Sequence, residues 1–75
     1  MNAKRRKELR VVKTHISLAI DLLSDIIDDE QFALDNVPEN LRESSSYNEK
    51  EDALDDLRDA LSDLESADDS VSDML

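Results

Sequence analysis

Apolar residues recur along the first half of the chain on alternating steps of three and four: Leu9, Val12, Ile16, Ala19, Leu23, Ile26 and Ala33, with only Glu30 breaking the series. This is a heptad stripe, the period of a packed helix and not of a strand. Ile20, Ile27 and Leu34 add a second line seven apart, and Leu22 flanks the other side. The resulting apolar face is wider than a two-stranded seam needs. The pattern predicts one long helix over about residues 3–34.

Residues of about 35–46 read as a connection. Asn36-Val37-Pro38 should stop the helix, because the residue before proline avoids the helical region. Pro38-Glu39-Asn40-Leu41 suits one short turn, with Leu41 expected to tuck against the end of the bundle. Ser46-x-x-Glu49 fits a capping box for the next helix, with Ser45 as the other candidate.

A second helix over about residues 47–74 carries an internal repeat, Ala53-Leu-Asp-Asp-Leu-Arg-Asp59 followed by Ala60-Leu-Ser-Asp-Leu-Glu-Ser66. Its seam positions are Tyr47, Leu54, Leu57, Leu61, Leu64, Val71 and Leu75, interrupted by Lys50 and Asp68. Ala53, Ala60 and Ala67 lie beside the seam and permit close approach of another helix. The third, decayed repeat is rich in serine and acids, so the turns beyond Ser66 are expected to fray. Two helices with a short connection form an antiparallel hairpin. The expected fold is therefore all-α, a single domain of residues 1–75, with the wide first face and the alanine edge favouring a homodimeric four-helix bundle. Phe32 and Tyr47 fall near the hairpin tip, where they either close the core or, if exposed, anchor a partner.

Charge changes this picture. Residues 1–13 hold Lys4, Arg5, Arg6, Lys7, Arg10 and Lys13 against Glu8 alone, whereas residues 14–75 hold 19 of the 20 acids against Arg42, Lys50 and Arg58. The net charge is −11. Both ends of the first helix carry the wrong sign for its own dipole. Folding about residue 40 should bring the basic start beside Asp68, Asp69 and Asp73. Asp21, Asp25 and Asp28 line one outer stripe of the first helix, and Glu49, Asp52, Asp56, Asp59 and Asp63 line one of the second. Side chains at such spacings lie ~5–6 Å apart, comparable to the phosphate repeat of a nucleic-acid strand. Such rows suit a positively charged groove; they also suit an ordinary solvated helix face.

The remaining chemistry is sparse. With no Cys, one His and no Gly, the chain offers no disulfide, no thiolate or His-cluster metal site, and no phosphate-cradling loop. Asp25-x-x-Asp28 and Asp52-x-x-x-Asp56 superficially resemble magnesium-binding carboxylate motifs, but they lie opposite the apolar stripes and do not converge. His15 flanks the first seam as a packing or rim residue and has no orienting partner for catalysis. No cofactor, metal or catalytic residue is expected. No apolar stretch approaches the ~20 residues of a membrane span, and no signal-peptide core follows the basic start. Lys4, Arg5, Arg6, Lys7, Arg10 and Lys13 form an alternative basic site, although a body of −16 repels nucleic acid in general.

The stretch Phe32 to Ser44, Phe-Ala-Leu-Asp-Asn-Val-Pro-Glu-Asn-Leu-Arg-Glu-Ser, followed by acidic Ala-Leu-Asp-Asp-Leu heptads, resembles a family of small acidic helical proteins of bacteriophages and prophages of Gram-positive bacteria. The family turn, Asn-(Leu/Val)-Pro-Glu-(Asn/Ser)-Leu, stands here as Asn36 to Leu41. The likeness covers roughly residues 25–66 and omits the basic start and the serine-rich tail. It supplies no activity residue by residue. It implies a small accessory phage protein, acting in the cytoplasm of an infected bacterial host, a context in which host-directed inhibitors are common.

Together these readings point to a non-enzymatic binding protein whose acidic stripes occupy a basic surface, such as that of a nucleic-acid-binding host nuclease complex. Two alternatives stay open: an RNA-binding or regulatory hairpin dimer using the basic start, and a plain structural coiled-coil module.

Overall fold

A computed structural model describes residues 1–75. Two helices, α1 (Ala3–Asp35) and α2 (Ser45–Asp73), are joined by a 3₁₀ turn at Glu39–Leu41. They pack side by side as an antiparallel hairpin about 59 Å long and 15 Å by 13 Å across. Asn36 to Ser44 form the tip; the chain termini form the open end.

The ends of α1 are closed by side chains. Asn2 Oδ1 accepts from the Arg5 N–H at 2.8 Å, satisfying one of the orphan donors of the first turn. At the other end the Asn36 side-chain amide donates to the Phe32 carbonyl at 2.7 Å. Arg42 then folds back, its guanidinium donating to the carbonyls of Val37 and Asp35 at 3.1 Å each. The last turn of α1 contains no basic residue of its own. Arg42 supplies from the connection the cation that the negative helix end favours.

The cap of α2 is Ser44, not Ser46 or Ser45. Its Oγ donates to the Leu41 carbonyl at 2.8 Å and accepts from the Tyr47 N–H at 3.2 Å. One hydroxyl thus ties the 3₁₀ turn to the first turn of α2, which neither later serine is placed to do. Leu41 is half exposed instead of tucked in, and Val37 takes the half-buried place beneath the tip. The helix also continues to Asp73 with Met74 as its C-cap, beyond the point where fraying was expected. Lys13 reaches across to this last stretch.

The core is small and sits in the tip half. Ile27, Leu34 and Leu54 are buried, with Leu23, Tyr47, Leu57 and Leu61 packed around them. The seam of α1 is consequently rotated from the expected one. Leu9, Ile16 and Leu23 face α2 together with Ile20, Ile27 and Leu34, whereas Val12, Ile26 and Ala33 point away. The reason is size: the line of Ile20, Ile27 and Leu34 buries more apolar area than the competing line of Val12, Ala19, Ile26 and Ala33, two of whose members are alanines. Phe32 is 72% exposed and does not close the core. It lies two residues from Leu34, nearly opposite on a helix of 3.6 residues per turn. Tyr47 does pack on the core as expected.

Candidate binding surfaces

Three surfaces emerge from this packing: an acidic exterior, a basic open end and an apolar flank. All eight predicted stripe residues, Asp21, Asp25, Asp28, Glu49, Asp52, Asp56, Asp59 and Asp63, are exposed. Those of α2 occupy its outer face. Those of α1 lie on the flank that also carries Ser24 and Gln31, away from Val12 and Ile26. The hairpin therefore does not merge the two stripes into one row. It adds other carboxylates instead: Glu51, Asp55, Glu65, Asp69 and Asp73 are exposed too, and broaden the α2 stripe into a belt. Apart from Ser72, every α2 position off the seam faces solvent, a signal present in the heptads but wider than the selected stripe.

Few cations answer these acids. Only two ion pairs form, and neither involves a stripe residue. Lys4 and Glu8 approach to 3.9 Å on the surface of α1, a contact of a kind worth ~0–1 kcal/mol. Lys13 Nζ lies 3.0 Å from Asp68 Oδ1 and donates to Ser72 Oγ at 2.6 Å. Arg58 donates to the Gln31 side-chain oxygen, bracing α2 against α1.

The predicted basic site is thus divided. Lys4, Arg5, Arg6, Lys7 and Arg10 are exposed at the open end, while Lys13 is half-buried in the seam. Lys13 pairs with Asp68 alone; the anticipated contacts to Asp69 and Asp73 do not form. Asp68 occupies a seam position, within reach of a side chain from α1, whereas Asp69 and Asp73 face outward.

The third surface comes from the rotated seam. Val11, Val12, Leu18, Leu22 and Ile26 are each 45–58% exposed on one flank of α1. Leu64 of α2 shares a groove with Val11, Val12, His15, Ile16 and Ala19, placing this flank on the side of α2 that bears Ala53, Ala60 and Ala67. The Arg58–Gln31 bond marks the opposite flank. His15 sits on the rim of the groove, with Nδ1 2.9 Å from the Val11 carbonyl. No group of three or more His, Cys, Asp or Glu side chains is gathered to hold a metal, and no helix is long and apolar enough to cross a membrane.

Comparison of the chain with protein-family models, with curated proteins and with solved structures gives no match in any of the three.

Proposed function

We propose that this chain is a non-enzymatic acidic binding protein, assembled as a homodimeric four-helix bundle, whose carboxylates occupy a basic nucleic-acid-binding surface on a host protein. In its concrete form it is a phage-encoded inhibitor of a host defence nuclease, acting in the cytoplasm of the infected bacterium. The observation that supports this reading most is the rows of unpaired carboxylates. Both ion pairs of the molecule, Lys4–Glu8 and Lys13–Asp68, leave Asp52, Asp56, Asp59 and Asp63 and the α1 stripe untouched. A solvated helix face normally mixes signs at four-residue spacing. A belt of one sign speeds encounter with an opposite surface and repels nucleic acid from the same site.

A pull-down from host lysate at low and high salt tests the proposal, followed by competition of the captured protein with DNA or RNA. The expected partner is a nucleic-acid-binding protein, released by salt and by nucleic acid. Replacing Asp52, Asp56, Asp59 and Asp63 with Lys should abolish capture while leaving helicity intact.

The second reading, an RNA-binding or regulatory hairpin, draws on the exposure of Arg5, Arg6, Lys7 and Arg10, none of which joins an ion pair. A gel shift with structured RNA separates the two. Binding lost when Lys4, Arg5, Arg6 and Lys7 become Ala favours the RNA reading. Neither inhibition nor RNA binding favours a structural module.

A further inference from the structure

We propose that a second copy of this chain covers the apolar flank of α1 in the antiparallel sense, so that the basic open end of each hairpin lies along the acidic tip of the other. The proposal rests on the homodimer reading above and specifies which face is shared and which way the copies run.

The face is identified by what the hairpin leaves uncovered. Val12, Leu18, Leu22 and Ile26 form a continuous stripe with large exposed fractions, flanked across the groove by the small edge of Ala53, Ala60 and Ala67. The accessible surface is 5699 Å² for a mass of 8.5 kDa, against ~4,700 Å² expected of a globular monomer that size. One flank of a hairpin 59 Å by 15 Å offers about 900 Å², close to the ~800 Å² that each partner contributes to a standard interface. Alanines on α2 let a neighbouring helix approach without clash. A two-fold axis near Leu22, midway between Val11 and Ala33, places the stripe of one copy on the stripe of the other and closes the assembly at two.

The direction is set by charge. The open end, residues 1–13 and 64–75, carries six cations and five acids. The tip, residues 28–56, carries two cations and eleven acids. A parallel pair sets one strongly negative tip against another. An antiparallel pair sets each tip against the near-neutral open end whose α1 side is cationic. The same arrangement accounts for the misplaced charges on α1. Its first turn contains Lys4, Arg5 and Arg6 and no acid, and these come to lie beside the negative end of the partner's α1, where cations are favoured. The two basic starts are then held at opposite ends of the bundle and cannot form a single patch, while the outer faces of both α2 helices stay open.

Light scattering combined with single-cysteine crosslinking tests this on the full chain, which has no native cysteine to interfere. The wild type should elute at twice its 8.5 kDa mass. Ala3→Cys and Asn40→Cys alter exposed positions at opposite ends of the hairpin, and circular dichroism confirms that each variant folds. Under mild oxidation neither variant alone should form a disulfide dimer, whereas an equimolar mixture, with one partner size-tagged, should form the mixed species. A dimer in which Ala3→Cys crosslinks to itself, or in which the mixture gives no mixed species, overturns the antiparallel arrangement but leaves the homodimer. A monomer mass at micromolar concentration overturns both. Neither result touches the acidic-stripe reading, which is judged by capture of the partner.

Discussion

Val12, Leu22 and Ile26 on one flank of α1 and Asp21, Asp25 and Asp28 on the other are all exposed, yet the two flanks pose different physical problems. Uncovered apolar side chains are unfavourable in water whatever surrounds them, and a small chain with no cysteine has association as its remedy. Carboxylates are at home in water. Their exposure needs no remedy, but their concentration on one molecule costs stability through mutual repulsion. The proposed dimer would cover the apolar flank with a copy of the same chain, whereas the proposed partner of the acidic faces lies outside it.

The core between the flanks sets the largest effect. Leu54 is the most buried residue, at 4% exposure, so Leu54→Ala should cost ~2–5 kcal/mol and unfold much of the protein near room temperature, as read by urea denaturation. An effect below ~1 kcal/mol would mean that the hairpin core does not hold the fold.

Changing matched positions on the two flanks gives the next effect. Leu22→Asp should shift the protein from dimer to monomer in light scattering and lower its melting temperature, because a charge enters the proposed contact. Asp28→Asn, on the other flank and not adjacent to Leu22, should alter stability by no more than ~0.5 kcal/mol. Equal effects from the two would erase the distinction between the flanks.

Lys13→Ala comes third. It removes the Asp68 and Ser72 contacts of a side chain still 36% exposed, so a loss of ~1 kcal/mol or less is expected. The loss should be localised, with faster amide exchange in the last turns of α2 and little change around Leu54.

The smallest effect is electrostatic screening. The chain carries −11, and like charges crowded on two helices repel one another. Added salt at neutral pH should therefore raise the melting temperature by a few degrees. Moving from pH 7 to about pH 5 reduces the same net charge and acts in the same direction. A fall under both conditions would mean that pairing, and not crowding, dominates this surface.

Much of this architecture was legible in the residues. Asn36-Val37-Pro38 stops α1 within a residue of the expected end, and off-seam acids are exposed wherever the heptads place them. Three features were not. The line of Val12, Ile26 and Ala33 and the line of Ile20, Ile27 and Leu34 share one period, so periodicity cannot choose between them; side-chain volume does. Ser44, Ser45 and Ser46 offer the same hydroxyl, and only the 3₁₀ turn selects Ser44, through the Leu41 carbonyl. The separation of the two acidic stripes depends on how each helix is rotated about its axis, which follows from the choice of seam.

The proposed function stands or falls with the acidic exterior as a binding surface. Its most direct test compares the wild type with the Asp52→Lys, Asp56→Lys, Asp59→Lys, Asp63→Lys variant as inhibitors of DNA or RNA cleavage by the nuclease captured from host lysate. Both proteins must first show equal helicity and the same mass in solution. The wild type should inhibit in a salt-sensitive manner, competed by nucleic acid, and the variant should not inhibit at all. Undiminished inhibition by the charge-reversed protein would contradict the proposed function.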